Sequence, residues 1–185
     1  MNIAKLFEMQ KMLDARIIEE KGLRGQDLLP NTILALLVEL GEMANEWRGF
    51  KHWSNDQAPR WGRLLEEYVD CLHFFLSIAR QLGLAKEDLT IIDDYLEGST
   101  TKVISRLIYH TGAIGIDFSR YSTFTSFRMA FNIFFALGQQ RFGFTLEQIE
   151  AAYLEKNKVN HERQANGSAR SLMHAQHLLN NKVGK

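Results

Sequence analysis

The sequence predicts an all-α protein, a helical bundle, and three observations carry that expectation. Apolar residues recur at helical spacing through most of the 185 residues, and strict apolar–polar alternation is hard to find. Only two prolines occur, Pro30 and Pro59, too few for a loop-rich β architecture. Residues that start and stop helices stand where the apolar stripes begin and end.

The first helix is expected from Ile3 to about Ile18, with apolar residues at 3, 6, 7, 13, 17 and 18. Pro30 suits the opening turn of a second helix, where a missing N–H costs nothing, and that helix runs to about Arg48. A third covers about Arg63 to Leu82 and stops at Gly83, a natural C-terminal residue. Asp88–Leu96 reads as a shorter helix. Ser99, Thr100 or Thr101 caps the next, through roughly Ile114 or beyond. Another spans Ser122 to Gln140, rich in phenylalanine and therefore central to the core. In the last long helix, Thr145 and Gln148 form a capping-box pattern and Gly167 closes the segment. This divides the chain into one all-α domain over residues 1–167 and a tail, 168–185, polar with a few leucines, that reads as a short extra helix or a frayed end.

Composition excludes several function classes. Lys+Arg and Asp+Glu both number 22, so the basic excess usual in nucleic-acid-binding proteins is missing. The lone Cys71 rules out a disulfide framework and a cysteine-built zinc site. No run of about 18 uncharged apolar residues offers a spanning helix, and MNIAKLFEMQ lacks a signal-peptide pattern. A cytoplasmic protein with neither a membrane nor a nucleic-acid polymer among its partners is expected.

Placing the acids on helices is more informative, since each residue advances by about 100°. Glu39, Glu42 and Glu46 fall within about 60° of one another, beside Ala35, Leu36 and Met43. Glu67 and Asp70 share a side of the third helix with Phe74 and Ile78. Ionised carboxylates among apolar neighbours must be protonated, paired with cations or bound to metal. Glu-x-x-Glu followed by Glu-x-x-Asp supplies four hard oxygen donors, which suits Mg²⁺; salt bridges at a bundle surface are the plainer alternative. Gln10 and Asp14 stand in the middle of the first helix's apolar stripe and need partners, either across helices or on a polar planar ligand. Lys156, Asn160 and Arg163, at i, i+4 and i+7, form one polar cationic stripe fit for phosphates or for solvent. His73 beside phenylalanines, and Trp53 in the loop WRGFKHWS, are open to ordinary packing roles.

VELGEMANEWRGFKHWS (38–54) and LLEEYVDCLHFFLSIA (64–79) resemble the dimeric dUTPases of the all-α NTP pyrophosphatase superfamily, whose MazG-like members share the same acidic framework. YLEKNKVNHERQANG (153–167) is similar to the family's C-terminal motif, and FEMQKMLD (7–14) to its opening helix. The resemblance implies an all-α, Mg²⁺-dependent homodimer that converts dUTP to dUMP and pyrophosphate by attack at the β-phosphorus. It assigns Glu39, Glu42, Glu67 and Asp70 to Mg²⁺, with Glu39 also activating water. It gives Gln10 the uracil edge, with Asp14 beside it where relatives often have asparagine. Trp53 goes to the base or sugar, His73 to the 3′-hydroxyl, and Lys156, Asn160 and Arg163 to the phosphates. Ser168 stands where the family commonly has tyrosine. A broader MazG-like or dCTP-directed pyrophosphatase is the enzymatic alternative, and a non-catalytic interaction module the other.

Overall fold

The computed structural model describes residues 1–92, 96–116 and 119–183, the last stretch from 167 by its backbone alone. Six α-helices account for it: α1 (Ile3–Glu20), α2 (Leu29–Trp47), α3 (Trp61–Gln81), α4 (Thr100–Ala113), α5 (Arg120–Gln140) and α6 (Leu146–Val183). Among the described residues there is no strand, and no helix is long and apolar enough to cross a membrane.

Helix ends follow local chemistry. Asn2 accepts from the Lys5 N–H at 3.0 Å to start α1, and Pro30 sits in the first turn of α2. Ser99 caps α4. Ser119 caps α5 through the Ser122 N–H at 3.1 Å, so this helix begins two residues before the expected Ser122. The capping box at α6 is reciprocal, Thr145 N–H to Gln148 Oε1 at 2.9 Å and Gln148 N–H to Thr145 Oγ1 at 3.2 Å.

Two expectations are corrected. No helix occupies the described part of Asp88–Leu96; Lys86–Asp88 make a single 3₁₀ turn, residues 89–92 are irregular, and 93–95 lie outside the described residues. Asp88 spends its carboxylate on the Ala85 N–H, and the β-branched Thr90-Ile91-Ile92 that follows disfavours a helix. Buried Leu89 and Leu96 pin this strap to the core. Nor does Gly167 close α6, which continues to Val183. An interior glycine costs a helix only about 1 kcal/mol relative to alanine, so it terminates a helix only where the following chain turns away.

The centre of the molecule is α3, which packs against α1, α2, α5 and α6. Its inner side meets the phenylalanines of α5: Tyr68 stacks on Phe134 with centroids 4.1 Å apart, and Phe75 lies 4.9 Å from the same ring. The Tyr68 hydroxyl donates to the Phe134 carbonyl at 3.0 Å. A Cβ at Gly138 would stand 2.4 Å from that hydroxyl, so the close approach of α5 to α3 requires glycine there. With α5 on one side, the rest of α3 is left to face α1, α2 and α6.

Candidate active site

Arg48 ends α2 with a positive φ of 65°, and its buried guanidinium ties down the α2–α3 loop by donating to the Asp56 carbonyl at 2.6 Å. Glu46 pairs with Arg60 at the other end of the loop. With that connection fixed, α3 returns along α2, and carboxylates from both helices meet. Oxygens of Glu39, Glu67 and Asp70 all lie within 4.8 Å of one another. Glu67 is buried, and Glu39 and Asp70 are half-buried.

This crowding has an electrostatic signature. Burial first, then the charges of Asp70, Glu42 and Glu67, push the Glu39 carboxyl up to about 7. Glu67 is raised by burial and by Asp70 and Glu42, against the pull of Arg63. Asp70 is raised by burial, although Lys156 Nζ sits 2.5 Å from its Oδ2. An all-oxygen set of clustered, half-desolvated acids has the chemistry of a site for a hard divalent cation.

Beside the acids opens a cavity of about 270 Å³, lined from α1 by Gln10 and Asp14, from α2 by Glu39, from α3 by Asp70, His73 and Ser77, and from α6 by Lys156, Asn160, Arg163 and Gln164. Its far wall is a hydrogen-bonded net. Gln10 donates to Asp14 Oδ1 at 2.8 Å. Its carbonyl oxygen accepts from the Tyr153 hydroxyl at 2.9 Å and meets His73 Nδ1 at 2.7 Å. Asp14 Oδ2 accepts from Ser77 at 2.7 Å and from Arg80 Nε at 2.8 Å. Burial pulls His73 down to about 3, so the ring is neutral, and its Nε2 has no protein partner.

A family model for dUTPases matches residues 2–168. The chain belongs to the all-α dUTPase family. No curated protein matches the sequence. The six helices agree with the fold of the dUTPase family, and membership supports dUTP pyrophosphohydrolase activity, from dUTP to dUMP and pyrophosphate.

Against the dUTPase pattern, most of the residues expected from the sequence converge here. Gln10, Asp14, Glu39, Asp70, His73, Lys156, Asn160 and Arg163 line the cavity, and Glu67 completes the acidic group. Glu42 is exposed and outside that group of three, though its charge raises both Glu39 and Glu67. Trp53 is not brought in; it is 66% exposed in the loop, edge-on to Phe50 and His52. Gln10 and Asp14 find their partners across helices while still facing the cavity. Sequence reasoning missed Ser77, Arg80 and Tyr153. A signal for the first two was present, because Asp70, His73, Ser77 and Arg80 continue one polar stripe along α3 at i, i+3, i+7 and i+10.

Proposed function

We propose that dUTP occupies this cavity with its base toward Gln10 and Asp14 and its phosphates between the acidic group and α6, and that Glu39, Glu42, Glu67 and Asp70 hold Mg²⁺. The observation that carries the reading is the mutual approach of three carboxylates from two helices, within 4.8 Å, at a cavity also lined by Lys156 and Arg163 of α6. Such repulsion costs stability unless a cation relieves it. Bound there, Mg²⁺ supplies positive charge opposite the phosphate oxygens and acidifies water.

The chain's own residues do the rest. Glu39, at the cavity wall among these carboxylates, takes the proton of the attacking water as the water oxygen bonds to phosphorus and the bond between the α- and β-phosphates breaks. Lys156, Asn160 and Arg163 orient the phosphate chain and steady the charge that develops on it. His73, neutral and bare at Nε2, accepts from a sugar hydroxyl. Trp53, carried by the loop between α2 and α3, packs against the base or sugar. The homodimer implied by the family resemblance is supported by Leu34 and Val38, both exposed one turn apart on α2 as an apolar strip.

The test is Glu42→Gln. Mg²⁺-dependent pyrophosphate release is expected to vanish while helical circular dichroism stays unchanged, and a variant with the wild-type rate refutes the metal assignment. A nucleotide screen with the wild type accompanies it: equal turnover of dUTP and dCTP excludes the uracil reading.

A further inference from the structure

We propose that Arg80 is a positioning residue that, through Asp14, fixes the donor–acceptor sense of the cavity's far wall and so contributes to the choice of uracil over cytosine. The inference rests on the reading that the base lies against Gln10, and extends it to residues two contacts away.

The chain of contacts determines each orientation in turn. Arg80 Nε and the Ser77 hydroxyl both donate to Asp14 Oδ2, at 2.8 and 2.7 Å, and hold the carboxylate in place from α3. A carboxylate only accepts, so the Gln10 group 2.8 Å from Asp14 Oδ1 is the amide nitrogen. The opposite end of that amide is then the carbonyl oxygen, which faces His73 Nδ1 at 2.7 Å and the Tyr153 hydroxyl at 2.9 Å. Between a carbonyl oxygen and a neutral imidazole the proton must be on Nδ1, which leaves Nε2 as a bare acceptor. His73 is 5% exposed and lines the cavity, and its buried Nε2 meets no protein group, so that lone pair is left unpaired in the ligand-free fold.

Gln10 thus offers a ligand its second N–H, a donor, because its oxygen is already taken by two groups. A donor there pairs with a carbonyl such as uracil O4 and clashes with the amino group that cytosine carries at the same position. Without Arg80, the Asp14 carboxylate loses its counter-charge and one of its two donors from α3, and the Ser77 hydroxyl alone holds it less firmly against turning away and letting the Gln10 amide reverse. The reversed amide would present its oxygen, accept from an amino group, and drive the His73 proton to Nε2.

The experiment follows His73 by ¹⁵N NMR of the ligand-free protein and measures kcat and KM for dUTP and dCTP. In the wild type Nδ1 is expected to be protonated and Nε2 bare; the opposite tautomer overturns the proposal with no variant needed. Arg80→Met is expected to populate the Nε2–H tautomer and to lower the dUTP:dCTP ratio of kcat/KM roughly tenfold, mainly through KM, as loss of one oriented hydrogen bond predicts. Arg80→Lys, which restores the charge, is expected to recover much of both. A folded Arg80→Met protein with unchanged tautomer and ratio refutes the role. Addition of Mg²⁺ and a non-hydrolysable dUTP analogue separates the two layers: no change at the Gln10 amide or His73 ring sinks the base-binding reading itself, whereas a change there with an indifferent Arg80→Met sinks only the positioning role.

Discussion

Replacing Glu39 with glutamine should make the metal-free protein more stable and inactive at once. The Glu39 carboxyl stands at about 7 in the fold against an ordinary 4.5, raised by burial and by Asp70, Glu42 and Glu67. Its folded value exceeds its unfolded one, so the native state is favoured below pH 4.5 and that advantage is lost as the pH climbs to about 7. At about 1.4 kcal/mol per unit the full shift is worth about 3 kcal/mol, and partial solvent access reduces this to about 1–2 kcal/mol. Glutamine keeps the shape and drops the charge. At pH 8 without metal, Glu39→Gln should therefore melt about 3–6 °C above wild type for a chain of this size. At pH 5 the carboxyl is protonated in the fold, and the gap should narrow to a small remainder. Mg²⁺ should raise the wild-type melting temperature by mass action and raise that of the variant less. Differential scanning calorimetry at both pH values, with and without Mg²⁺, reads all of these. A variant that melts below wild type at pH 8, or a gap that persists undiminished at pH 5, refutes the argument that the acids are held together against their repulsion.

Two further outcomes are expected. Gly138→Ala sets a methyl 2.4 Å from the Tyr68 hydroxyl and should destabilise the fold by about 1–3 kcal/mol in urea unfolding, with KM for dUTP little changed. Trp53→Ala removes a side chain that is 66% exposed and should alter stability by no more than about 0.5 kcal/mol, while raising KM for dUTP in a steady-state assay.

The fold was legible wherever a single helix announces itself. The Thr145–Gln148 box, Pro30 and Gly83 each act on the backbone within one or two turns, and each stands where expected. Asp88–Leu96 was not legible, because what holds that strap is the burial of Leu89 and Leu96 in a core assembled from distant helices. The same division runs through the site. Helical angles brought Glu39 and Glu42 to one side and Glu67 and Asp70 to another, but only packing shows that Glu42 stands apart from the other three. Tyr153 was invisible as a site residue, since its hydroxyl reaches Gln10 across 143 positions of sequence. A tyrosine on an apolar stripe looks like core, and its ring is core.

Lys156 shows how one residue serves both the resting fold and the reaction. It relieves part of the repulsion in the acidic group: with its ammonium on Asp70, one of the clustered charges is answered directly and Glu39 is eased as well. That contact uses a group which the proposed reaction needs on the phosphates. Asp70 would be among the residues holding a divalent ion, whose charge would compensate the carboxylate and leave the Lys156 ammonium available to phosphate oxygens. Keeping opposite charges matched in a half-desolvated place would cost less than leaving the acids unbalanced. A neutral total composition, 22 of each sign, is compatible with acids and cations gathered at one site. The acids of α2 and α3 and the cations of α6 line the same cavity, with Lys156 directly on Asp70, so the field that would attract a metal–nucleotide complex arises from their arrangement and not from any net charge.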